Sequence, residues 1–92
     1  MRVYKYPILL TETQTIMVPG YRRLLSVQLQ DDRICLWYEI NEDHENDTEI
    51  VLHIVPTGGD RDIEDDWHHL ETIQMGSLVW HVYQEGYDDW NA

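Results

Sequence analysis

Short runs in which apolar and polar residues alternate with period two fill most of this chain, and they constrain its fold more than any other feature. In Leu25-Ser26-Val27-Gln28-Leu29, Leu25, Val27 and Leu29 share one face and Ser26 and Gln28 the other, the pattern of a half-buried strand. Beyond Asp31-Asp32 the alternation resumes, with Ile34, Leu36, Tyr38 and Ile40 on one side and Cys35, Trp37 and Glu39 on the other. Two such runs across so short a connection predict a β-hairpin, although Asp-Asp lacks the glycine of the strongest turn signals. Residues 49–55 are rich in β-branched side chains on both faces, which predicts a strand at least partly buried on each. Pro56-Thr57-Gly58-Gly59 ends it, because proline cannot donate to a ladder and glycine permits positive φ.

Weaker strands flank this centre. Residues 14–18 run into the turn dipeptide Pro19-Gly20, residues 69–75 and 78–85 form a hairpin across Gly76-Ser77, and residues 3–8 make an edge strand that tolerates Pro7. At most one short helix is expected, placed within residues 60–69, where Asp60 could serve as its cap. About seven short strands with no heptad and no internal repeat predict an all-β fold, a small antiparallel sandwich or rolled meander. Residues 1–86 form the single domain, and residues 87–92 are an acidic, aromatic tail. At 92 residues a chain buries only about 60–65% of its unfolded surface, which leaves little room for an internal catalytic cleft.

Charge gives the second strong signal. The formal net charge is -12, against any binding of nucleic acid or an anionic membrane through clustered Lys and Arg. Hydrophobic residues at 42%, with four Trp and six Tyr, exclude an acidic disordered chain. Residues 39–71 hold twelve acidic groups against Arg61 alone. These acids fall mainly in two loops. Glu42, Asp43, Glu45 and Asp47 lie in the first, and Asp60, Asp62, Glu64, Asp65 and Asp66 in the second. Trp67 and Trp90 each follow a pair of aspartates, and a Trp beside carboxylates suits an interface with a basic partner. For Trp67 the alternative of covering an open sheet edge weighs equally. Trp37 and Trp80, inside strands, are expected in the core.

The residues give no support to catalysis or metal binding. Cys35 is the only cysteine and lies mid-strand, where a thiol is a small buried hydrophobe. Neither Ser26 nor Ser77 sits in a Gly-x-Ser-x-Gly elbow, and Thr57-Gly58-Gly59-Asp60 lacks the lysine of a phosphate loop. A calcium loop starting at Asp60 would need glycine at its sixth position, which is Asp65. His68 and His69 are adjacent, so on a strand they face opposite ways and cannot share an ion. His53 and His81 are expected in the sheet, and His44, His68 and His69 on the surface. The expectation is a non-enzyme without cofactor or metal. One cysteine and no apolar run at Met1–Pro7 suggest a reducing cytosol.

The segments Val3-Tyr4-Lys5-Tyr6-Pro7-Ile8, Thr13-Gln14-Thr15-Ile16, Leu25-Ser26-Val27-Gln28, Cys35-Leu36-Trp37, Pro56-Thr57-Gly58 and Leu78-Val79-Trp80-His81-Val82-Tyr83 resemble a family of small domains encoded in bacteriophage and prophage genomes. The likeness spans roughly residues 3–85 and carries no known activity or site residue. Its members have a more proline-rich and less acidic middle loop, so the acid run at 42–49 is a departure. The resemblance implies a phage origin and the cytoplasm of a bacterial host. Together with the charge, it leads to an expected acidic inhibitor of a host protein with a basic, nucleic-acid-binding surface, an anti-CRISPR-like role. The alternative expectation is a structural or accessory phage protein, with edge strand 3–8 offering a route to a homodimer.

Overall fold

The computed structural model describes residues 1–44 and 46–86. Seven strands follow in chain order: β1 (Arg2–Pro7), β2 (Thr13–Pro19), β3 (Tyr21–Gln30), β4 (Arg33–Ile40), β5 (Asp47–Pro56), β6 (Trp67–Met75) and β7 (Leu78–Glu85). They form a three-stranded sheet, β1-β4-β3, and a four-stranded sheet, β2-β5-β7-β6. Every neighbouring pair is antiparallel. The fold is an all-β sandwich, as the alternation predicts, and β1 is an edge strand.

The core lies between the sheets. Ile34, Leu36, Tyr38 and Ile40 from β4 meet Ile50, Leu52 and Ile54 from β5, with Val18, Val27, Ile73 and Val82 filling the remainder. Trp80 packs against this cluster. Trp37 does not: it pairs with Lys5 and Ser26 across the outer face of the three-stranded sheet. Cys35 is 2% exposed on the same strand.

Two local features depart from the sequence reading. Strand β3 carries bulges between Tyr21 and Arg23 and between Leu24 and Ser26. A bulge inserts a residue and shifts the facing of what precedes it. Leu24 therefore packs against the core and Leu25 is exposed, so Leu25 does not share the inward face of Val27. The turn after β3 needs no glycine, because Asp31 and Asp32 both adopt the left-handed conformation, at φ 52° and 64°. Two positive φ angles define the type I′ hairpin turn, and Asp tolerates that region better than most residues.

No helix forms at residues 60–69. Residues 60–64 have no regular structure, a turn occupies 65–66, and β6 begins at Trp67, so His68 and His69 are strand residues. A helix here would set Asp60 against Glu64 and Asp62 against Asp65 and Asp66, like charges at spacings of three and four that destabilise it. Strand pairing adds a second reason. Both β5 and β6 pair antiparallel with β7, so they run parallel and residues 57–66 must cross back along the sheet. Pro56 is level with Trp80, whereas Trp67 is level with Glu85. The crossing strap thus returns about five residues of strand height, roughly 16 Å, which extended chain achieves and a helical turn does not.

Candidate functional site

The two acidic segments attach to β5 differently. The β4–β5 connection lies beyond the Asp47 end of β5, and the strap leaves from its Pro56 end. Glu42 is already committed, accepting from Arg2 Nε at 2.8 Å and from the Tyr4 hydroxyl at 3.3 Å. The hydrogen bond from Arg2 holds the Glu42 carboxyl below its usual range. Asp43 and Asp47 are exposed. Glu45 and Trp90 lie outside the described residues.

The strap is different. Asp60, Asp62, Glu64, Asp65 and Asp66 are all exposed, and among the described residues no cation forms an ion pair with any of them. The strap's own cation is turned the other way. Arg61 Nη1 donates to the carbonyls of Glu12 (2.6 Å) and Ile54 (3.2 Å), and Nη2 donates to Thr13 Oγ1 (3.0 Å) and His53 Nδ1 (2.9 Å). Its guanidinium carbon lies 5.2 Å from the centre of the Trp67 ring. One side chain thereby fixes the strap to β2, β5 and β6 while the acids around it face water.

His53 is the centre of this attachment. It sits on the outer face of β5, paired with Thr13 on one side and Tyr83 on the other, yet it is only 5% exposed. Trp67 lies flat on it, with ring centroids 3.7 Å apart. Guanidinium has no acceptor, so the contact with Arg61 requires Nδ1 to carry no proton. The proton of the neutral ring is then on Nε2, which donates to Glu85 Oε2 at 2.7 Å. Thr13, His53 and Glu85 have the outline of a hydroxyl–imidazole–carboxylate triad, but the roles are blocked. The lone pair that would take the Thr13 proton already faces an Arg61 N–H, and no pocket opens beside it among the described residues.

A second chain of contacts continues across the same face. Thr57 Oγ1 meets His81 Nε2 at 2.7 Å, His81 Nδ1 meets Thr72 Oγ1 at 2.9 Å, and Thr72 Oγ1 meets His69 Nε2 at 2.9 Å. His69 in turn abuts Tyr83 edge to face at 5.3 Å. These bonds tie the start of the strap to β6 and β7. Among the described residues no three His, Cys, Asp or Glu side chains gather to hold a metal ion.

A family model described as "Domain of unknown function (DUF7352)" matches residues 1–91. The chain belongs to this family. No curated protein and no solved structure matches it. Membership of DUF7352 therefore brings no activity with it, and the functional reading of this DUF7352 domain rests on its own residues.

Of the sequence candidates, the structure groups Asp60, Asp62, Glu64, Asp65 and Asp66 on the strap, places Glu42 and Asp43 on the β4–β5 connection and Asp47 at the start of β5, and sets Trp67 beneath the strap as its support. Sequence reasoning missed Arg61, His53, Thr13 and Glu85. One signal was available: a histidine between Val51 and Val55 in a strand apolar on both faces must be satisfied by polar partners.

Proposed function

We propose that this chain acts by binding a protein, presenting the strap of residues 57–66 to a basic, nucleic-acid-binding surface on its partner. In its specific form the chain is phage-encoded, the partner is a nucleic-acid-targeting defence complex in the host cytoplasm, and binding is inhibitory because the acids occupy the groove that nucleic acid would fill. The observation that supports this reading is the strap's asymmetry. Five carboxylates are exposed and unpaired among the described residues, while Arg61 spends its donors on the sheet. Charge fixed to a scaffold loses less freedom on binding than charge on a loose loop. It also steers encounter with a basic surface over long range.

A second reading has its own observation. β1 is an edge strand with most of its residues exposed, which suits self-association in an accessory assembly, although Lys5 and Pro7 guard that edge.

Retention of bacterial lysate proteins on immobilised wild type and on a variant combining Asp60→Asn, Asp62→Asn, Glu64→Gln, Asp65→Asn and Asp66→Asn tests the first reading. The expected result is a nucleic-acid-binding protein held by the wild type, released by added oligonucleotide, and absent from the variant. Equal retention on both would remove the strap from the account.

A further inference from the structure

We infer that Arg61, His53 and Glu85 form an acid-sensitive latch, in which proton uptake at Nδ1 of His53 turns Arg61 away and loosens the strap of residues 57–66 from the sheet. The geometry carries the argument. In the latched state Nδ1 accepts from Arg61 Nη2 at 2.9 Å and Nε2 donates to Glu85 Oε2 at 2.7 Å. A proton added to Nδ1 leaves two donors, both cationic, pointing at each other. The new imidazolium has no need of Arg61. Nδ1–H finds the Thr13 hydroxyl, already 2.9 Å away, and Nε2–H keeps the Glu85 carboxylate as counter-charge. Arg61 alone loses an acceptor and gains a like charge.

The surroundings of His53 concentrate this effect on the strap. From β2 it faces Thr13, from β7 Glu85 and its register partner Tyr83, from β6 Trp67, and from the strap Arg61. Val51 and Val55 flank it on its own strand. Among the described residues Glu85 is the one carboxylate in contact with it and favours the charged ring; Arg61 is the one cation in contact among them and opposes it. Burial under Trp67 keeps water from relieving the conflict, so movement of the strap relieves it. Histidine is the side chain suited to such a change between about pH 5 and pH 8.

As regulation of binding, the latch rests on the strap being the binding element. Its test reads the strap itself, so the two ideas fail separately: a pH-insensitive strap ends the latch and leaves the binding reading standing. Amide hydrogen exchange of Gly59 and Trp67, whose N–H groups donate to the carbonyls of Pro56 and Glu64 at 3.0 and 3.1 Å, is followed in the full chain from about pH 8 to about pH 5, corrected for intrinsic rates. Protection is expected to fall on the order of tenfold in the wild type. In His53→Gln, whose side chain accepts from Arg61 and donates to Glu85 without titrating, protection should stay flat. In Glu85→Gln, at an exposed position, the midpoint should move to lower pH because the imidazolium loses its counter-charge. His81→Gln, in the neighbouring chain of contacts, should keep the wild-type midpoint. A flat wild-type profile, or a wild-type fall repeated in His53→Gln, overturns the latch. If His53→Gln does not fold, an unmoved midpoint in Glu85→Gln overturns it alone.

Discussion

The indole of Trp67 lies parallel to the imidazole of His53, with planes 8° apart. The contact crosses β7, since Trp67 opens β6 and His53 belongs to β5. It makes Trp67 the lid of a buried polar group, and this role differs from that of an interface anchor in what mutation does. Trp67→Ala should lower stability by about 2 kcal/mol, below the figure for a fully buried Trp because the residue is only partly buried, and should accelerate exchange across the strap. Denaturant unfolding checks it. An anchor without a structural role would leave the midpoint unchanged.

Tyr38 is fully buried, and its hydroxyl has no hydrogen-bond partner among the described residues. Its ring packs edge-on against Tyr6 and Tyr21, each with centroids 5.6 Å away. A buried donor left unmade costs about 1–3 kcal/mol, so Tyr38→Phe, which keeps the ring contacts, should raise the melting temperature or leave it unchanged. Burial, with lesser contributions from Tyr21 and Tyr6, pushes the Tyr38 hydroxyl well above its ordinary value of 10.0. A raised value means stability that is complete below 10 and is lost as pH rises beyond it. Tyr38→Phe should therefore also flatten the alkaline limb of the stability curve.

The Asp31-Asp32 turn holds two left-handed non-glycine residues, and two like charges side by side. Replacing them with Asn-Gly, the pair favoured in type I′ turns, should stabilise the hairpin by about 0.5–1 kcal/mol. Thermal unfolding of the double variant measures it, and a loss of stability would mean that the aspartates make contacts worth more than the strain.

Glu39 receives Arg22 at 2.9 Å and Arg23 at 3.3 Å. The hydrogen bond from Arg22 is the chief cause holding its carboxyl below the ordinary 4.5. A lowered carboxyl stabilises the fold above the unfolded value and loses that contribution as pH falls through the folded one. Glu39→Gln should thus reduce stability slightly at neutral pH and leave a shallower decline as pH falls through and below the ordinary carboxylate range. Because the carboxyl is solvent-accessible, the difference should shrink in high salt.

How much of this was legible in the sequence depends on whether a feature is local. The β3–β4 and β6–β7 hairpins stand out because Ile34 to Ile40 and Leu78 to Tyr83 alternate next to short turns. The bulge at Leu25 was hidden, since Leu24 and Leu25 are chemically alike and pairing with β4 decides which faces inward. The crossover from β5 to β6 was hidden for a related reason: strand signals do not report which strand lies between two others. The acids of the strap announced themselves as charge. Their support did not, because Thr13, His53, Arg61, Trp67 and Glu85 are scattered over most of the chain and meet only through β2-β5-β7-β6 pairing.

The central claim is that the strap, and not the acidity of the chain as a whole, is the binding element. Chemical-shift mapping with a synthetic Arg- and Lys-rich peptide as the basic probe tests this most directly, because it reads each acidic segment separately at fixed total charge. Single exposed charge pairs contribute only about 0–1 kcal/mol, so a collective response is expected. Shifts should concentrate at residues 60–66, leave Glu42, Asp43 and Asp47 nearly unmoved, and disappear as salt approaches 1 M, where screening shortens to about 3 Å. Shifts of equal size at residues 42–47 and 60–66, or none at the strap, would contradict the account.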